Sequence, residues 1–268
     1  MYRFPMGVSL STDVMKSCDT QFDARLLQIP HYRNHPEMLP FIGVGYTKTP
    51  QRVLLVGESH YVSNAPDEAG EVRDVAADFA ALDWYASAPR FDDEKNVFCI
   101  DFGNYTTRHI LNRFVTDPTF GGGGLLIFSN PLRAYYDAEE TRRTLDKSLI
   151  HNFAFLNFYQ RPAFAFGSSL NTASSERTMD LQTRDAKVAA KTLDAVIETI
   201  EPAVVIFLSS KAYNAYVKTM HIRADVTKAP VLHRVPHPTC AWWNRPTKRG
   251  TCGKDDFRTI LRTAWKKP

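Results

Sequence analysis

The run Arg52-Val53-Leu54-Leu55-Val56-Gly57-Glu58-Ser59-His60-Tyr61 decides how the chain is read. An apolar stretch carrying two β-branched valines stops at Gly57 and gives way to polar side chains, the pattern of a strand buried on both faces of a parallel sheet. Phe153 to Phe158, Ala203 to Leu208 and Pro230 to Val235 repeat the pattern, each followed by polar or turn residues. Between the second and third strands, Asp185 to Glu201 sets Ala189, Leu193, Val196, Ile197 and Ile200 at helical spacing; Asp185 is the expected cap and Pro202 the stop. Phe257, Ile260, Leu261 and Ala264 form another apolar stripe behind Asp255 and Asp256, acids that suit a helix N-terminus. Strands alternating with helices predict an α/β fold, a three-layer α/β/α sandwich around a central, mainly parallel four-stranded sheet. Ligands of such sheets bind beyond the carboxyl ends of the strands.

The rest of the chain sets bounds on that reading. Its 268 residues, 44% hydrophobic and 23% charged, can bury a full core and exclude a disordered, collagenous or coiled-coil chain. One domain over residues 1–268 is expected, with an N-terminal extension over about 1–38 and an insertion over about 62–150. The longest apolar runs fall far short of the ~18 residues of a membrane span, and Met1 to Pro5 lead into no apolar signal region. An intracellular, membrane-free, monomeric protein is the expectation. Cys18, Cys99, Cys240 and Cys252 form no C-x-x-C pair, so no metal and no cofactor is predicted. With 33 basic against 29 acidic side chains the net charge of +4 permits a polyanionic partner without requiring one.

The expected strand ends supply Gly57-Glu58-Ser59-His60-Tyr61, then Asn157, then Ser209-Ser210-Lys211, then His237-Pro238-Thr239. In that order they resemble the uracil-DNA glycosylase superfamily. There a glycine-led loop after the first strand forms the base pocket, an asparagine at a strand end reads the base edge, and a His-Pro-Ser-like loop stabilises the departing base. The resemblance runs from Leu39 onward, with Pro40-Phe41-Ile42-Gly43 and Tyr46 as the approach to the first motif. Two departures stand out: Ser59 replaces the aspartate that positions water in the best-known members, leaving Glu58 as the nearest carboxylate, and the clustered cysteines of the iron-sulfur branches are missing.

The resemblance implies a DNA partner, single- or double-stranded, and hydrolysis of an N-glycosidic bond, in base-excision repair or in defence against foreign (phage) DNA carrying modified bases. Physically, that reaction makes a cationic sugar and an anionic base. A neutral His237 donating to the base oxygen acts as an oxyanion-hole donor; the alternative is a histidine capping the Pro238 turn. Glu58 orients water or stabilises the sugar cation, or else bonds local backbone amides. Asp101, in the insertion, is a second candidate for the missing carboxylate. Asn157 offers a donor and an acceptor in one plane, as a flipped pyrimidine's edge requires, or else ends a strand. Gly57, Ser59 and Tyr61 complete the expected base pocket. Trp242 or Trp243 is the wedge that unstacks the duplex, or both pack beneath the loop; Arg245, Lys248, Arg249, Ser209, Ser210 and Lys211 are the expected DNA contacts.

Two rival readings remain. Gly57-Glu58-Ser59-His60-Tyr61 comes close to the G-x-S-x-G elbow of a serine hydrolase, with Ser59 as nucleophile and His237 as base, although Tyr61 stands where the turn needs a small residue. The other is a catalytically silent DNA-binding or sensor module of the same fold.

Overall fold

The structure is a computed structural model that describes residues 17–61, 107–117, 120, 125–135, 145–163, 179–220, 229–248 and 250–265. Strands β1 (Phe41–Ile42), β2 (Val53–Tyr61), β3 (Phe153–Ala163), β4 (Val204–Phe207) and β5 (Val231–Arg234) form one five-stranded sheet in the order β1-β3-β2-β4-β5. β3, β2, β4 and β5 are mutually parallel and β1 is antiparallel to β3, giving an α/β fold with a mixed, mostly parallel sheet.

The four expected strands are present, but a sheet of four is corrected to five. Two residues between Pro40 and Gly43 carry no periodicity, and the pairs Phe41↔Phe155 and Ile42↔Ala154 are what make them a strand. Gly43 then passes so close to the His151 carbonyl that any Cβ would overlap it. Edge position changes β5 as well: Val231 is 58% exposed, unlike the fully buried β4.

Helices α1 (Asp23–Leu26), α2 (Pro30–Asn34), α3 (Thr107–Thr116), α4 (Leu126–Tyr135), α5 (Met179–Ile200), α6 (Ser210–Met220) and α7 (Gly253–Trp265) are formed by the described residues. None of them is long and apolar enough to cross a membrane. Side chains alternate across each strand. Leu54 and Val56, with Leu156, Phe158, Val205 and Phe207, face α5, α6 and the N-terminal Phe22, Leu26 and Tyr32. Val53 and Leu55, with Phe153, Phe155, Val204 and Ile206, face α3, α4 and α7 through Phe114, Phe128, Leu132, Phe257 and Leu261. Segments expected as an extension and an insertion thus supply core on both faces. Arg108 of α3 fastens the two regions, donating to both carboxylate oxygens of Asp23 (2.8 and 2.6 Å) and to the Pro40 carbonyl (2.9 Å).

α5 begins at Met179, and Asp185 is a buried interior residue rather than its cap. Its charge acts on Tyr159 of β3. The helix stops as expected before Pro202: Glu201 turns left-handed (φ 49°), and Arg52 donates to the terminal Ile200 carbonyl at 3.3 Å.

Candidate active site

The crevice of the sheet lies where β2 and β4 end side by side. β2 is followed in the sequence by β3 on one side of it, and β4 by β5 on the other, so the connections diverge at this pair. β4 pairs with β2 only as far as Val56↔Phe207, whereas β2 and β3 continue together through Gly57↔Asn157 and Ser59↔Tyr159 to Tyr61↔Ala163. Gly57 to Tyr61, expected as a loop, therefore belong to a projecting two-stranded ribbon. Neighbours in sequence consequently point to opposite faces.

Glu58 continues the Leu54/Val56 face towards the N-terminus of α6. The Ser209 hydroxyl donates to Glu58 Oε2 at 2.7 Å, Lys211 Nζ lies 3.6 Å from Oε1, and Ser209 Oγ accepts from the Ala212 N–H at 3.3 Å. Ser209 is thus the N-cap of α6 and a clamp on Glu58, and a carboxylate there complements the helix dipole. The alternative in which Glu58 bonds local amides is replaced by this three-residue arrangement. Of the three expected DNA contacts at the start of α6, Ser209 and Lys211 serve Glu58, and Ser210 is exposed.

Gly57 and Asn157 continue the opposite face. Asn157 Oδ1 occupies the place a Cβ on Gly57 would take, and Phe155 Cζ would lie 2.9 Å from that Cβ, so only glycine lets the half-buried Asn157 lie across β2. Gln160, 1% exposed, donates from Nε2 to the Asn157 (2.8 Å) and Phe158 (3.0 Å) carbonyls and fixes the strand end where the ladder shifts register. Ser59 is 5% exposed and its hydroxyl has no hydrogen-bond partner among the described residues. Burial, then the charges of Glu58 and Asp185, push the Tyr159 phenol up to about 12 and keep it neutral.

His237 leaves β5 through Val235, whose N–H donates to the Phe207 carbonyl at 2.9 Å. Nδ1 lies 2.7 Å from the Thr239 hydroxyl and 3.3 Å from the Thr239 backbone nitrogen. An amide N–H can only donate, so Nδ1 accepts and the neutral ring carries its proton on Nε2. Burial lowers the His237 pKa, and the negative charge of Glu58 partly opposes that. The turn-capping and donor readings are therefore compatible: capping by Nδ1 fixes the tautomer that makes Nε2–H a donor. Asn130 Nδ2 of α4 donates to the Pro238 carbonyl at 2.7 Å and holds the loop from the far side. Nothing in the sequence assigns Asn130 or Gln160 a role, because both act on backbone carbonyls that only the folded chain brings near.

Trp243 is 2% exposed, packed on Phe257 (centroids 5.9 Å apart) and on Gly253, where a Cβ would come within 3.0 Å of its ring. It is corrected from wedge candidate to core residue, because its short 3-10 turn (Ala241–Trp243) directs it beneath the loop. Trp242 is 56% exposed, and Arg245 and Lys248 are exposed beside it. Asp101, Arg249 and the side chain of Tyr61 lie outside the described residues. Among those described, no group of three or more His, Cys, Asp or Glu is placed to hold a metal ion.

A serine nucleophile needs its base within hydrogen-bond reach. The Ser59 hydroxyl has no such partner, and His237 Nδ1 is engaged by Thr239, so the hydrolase reading loses its central contact. No protein-family model, curated protein or solved structure gives a significant match to the chain.

Proposed function

We propose that this chain is a monofunctional DNA glycosylase resembling the uracil-DNA glycosylase superfamily, hydrolysing the N-glycosidic bond of a non-standard pyrimidine to leave an abasic site. The observation that carries the reading is the contact of the Thr239 backbone N–H with His237 Nδ1, which assigns the ring proton to Nε2 as a donor, in a ring whose pKa is lowered by burial against the opposing charge of Glu58. β3 and β5 stand three inter-strand spacings apart, about 14 Å. The negative charge of Glu58, on β2, raises the His237 pKa against the effect of burial, which supports the two acting at one site. The reading lays the flat base between Asn157 and His237.

In the reaction the C1′–N bond breaks and the base leaves with the electron pair, its oxygen taking a hydrogen bond from Nε2–H. A water oxygen bonds to C1′, and the proton it sheds balances the charge of the departing base. Glu58, its oxygens held by Ser209 and Lys211, is a fixed negative charge suited to stabilising the cationic sugar through its field. Asn157 reads the pyrimidine edge: its NH2 towards O4 and its carbonyl towards N3–H select uracil, and the flipped amide selects a cytosine-type edge. Trp242 is the wedge, with Arg245 and Lys248 on phosphates. Trp242→Ala therefore slows release from duplex DNA far more than from single strands, which need little unstacking.

The decisive experiment is mass spectrometry of bases released from oligonucleotides carrying uracil or 5-modified cytosines. Release from at least one substrate is expected. Salt-sensitive DNA binding without release from any of them would leave the silent binding module as the function.

A further inference from the structure

α4 and α7 pack together and each presents a pair of polar side chains one turn apart. Asn130 and Arg133 stand at i and i+3 of α4, and Lys254 and Arg258 at i and i+4 of α7. With Trp243 and Asn244 they line an open cavity of about 220 Å³. Three cations and two amides meet there, and no carboxylate is in the lining. Asp255 lies beside it, taking one Arg258 Nη1 contact at 3.6 Å and the Cys252 thiol at 2.8 Å, which leaves the lining basic. The Arg258 Nε donates to the Ala134 carbonyl at 2.8 Å, so one guanidinium is held in place before any ligand arrives.

From this arrangement we infer that the α4–α7 groove is a phosphate subsite, taking one phosphodiester of a nucleic-acid strand next to the His237 loop. The lining carries three cations and no carboxylate, and its two amides can each turn an N–H to a ligand, which matches an anion whose oxygens only accept. The cavity is smaller than the roughly 300–1,000 Å³ of sites that enclose a drug-sized ligand, and suits a phosphate better than a nucleoside. Its link to the site is direct: Asn130, in its wall, donates to the carbonyl of Pro238, the residue after His237. Trp243, in its lining, adjoins the exposed Trp242. The inference deepens the proposed function and rests on it for the identity of the strand.

The test is fluorescence anisotropy of a labelled 20-mer deoxyoligonucleotide against the full chain and Arg133→Gln, Lys254→Gln and the double variant, over a range of salt. Loss of one single-strand phosphate contact reduces the slope of log affinity against log salt by about 0.7, or about fivefold in affinity at 0.1 M relative to 1 M. The double variant is expected to show that loss with an unchanged thermal midpoint, since the two residues are peripheral to the core. An unchanged slope would overturn the subsite. So would full displacement of the variant-sensitive binding by millimolar inorganic phosphate at constant ionic strength, which would mark a free-anion site. Base release is measured on the same samples. A reduced slope in a protein that releases no base would retain the subsite and refute the glycosylase; release with an unchanged slope would do the reverse.

Discussion

The two faces of the sheet end differently at its carboxyl edge. On the α5/α6 face the polar groups are mutually satisfied: Glu58 holds the Ser209 hydroxyl and the Lys211 ammonium, and Ser209 in turn caps α6. On the α3/α4/α7 face the Ser59 hydroxyl is buried without a partner among the described residues, and His237 is anchored there through Nδ1, which leaves the Nε2–H as the donor. Buried polar groups are expensive when unpaired, so the first end is satisfied by folding and the second is where the proposed function puts its ligand. One strand supplies both ends because Glu58 and its neighbours Gly57 and Ser59 alternate across β2.

If the open end does the chemistry, His237→Ala lowers the rate of base release by about 10²–10³-fold, the value of one oxyanion-hole donor, with DNA affinity nearly unchanged. An equal loss of affinity in a binding titration would mean that His237 only shapes the loop.

Glu58→Gln tests whether the closed end acts on the open one through charge. Single-turnover release slows by about 10²-fold, the lower end for a positioned acid–base group. The pH profile adds a sign. Burial lowers the His237 pKa and Glu58 raises it, so removing that charge moves the acid limb of kcat/KM to lower pH. Because the folded-state pKa lies below the roughly 6.5 of an unfolded imidazole, the unfolded chain binds this proton more tightly. His237 therefore subtracts stability as pH falls from there towards its folded pKa. An acid limb that stays put in the variant would separate the two ends.

The two serines carry the smallest effects and opposite signs. Ser209→Ala removes a helix cap and a donor to Glu58 and costs about 1 kcal/mol in chemical denaturation. Ser59→Ala removes a buried hydroxyl that folding leaves unpaired, so stability stays level or rises by up to about 1 kcal/mol. A loss at Ser59 matching that at Ser209 would erase the distinction between the ends.

Some of this was legible in the residues. Four strands, the stop of α5 at Pro202 and the α7 stripe follow from runs and spacings that need no partner to be recognised. The residues that meet at the crevice were also visible, since strand ends in such a sheet share one edge. Three things were not: β1, two residues long; the start of α5, where a buried Asp185 imitates a cap; and the buried state of Trp243 against the exposed Trp242, which are alike in sequence.

Local pattern was enough for element type and order, because the hydrophobic period of a strand or helix is written in adjacent residues. The facing of Glu58 away from Asn157, the pinning of the Pro238 carbonyl by Asn130, 108 residues earlier, and the tautomer of His237 depended on folding. Each rests on a hydrogen bond or steric exclusion between groups whose distance is set by sheet register and helix packing, quantities that no local run of sequence contains.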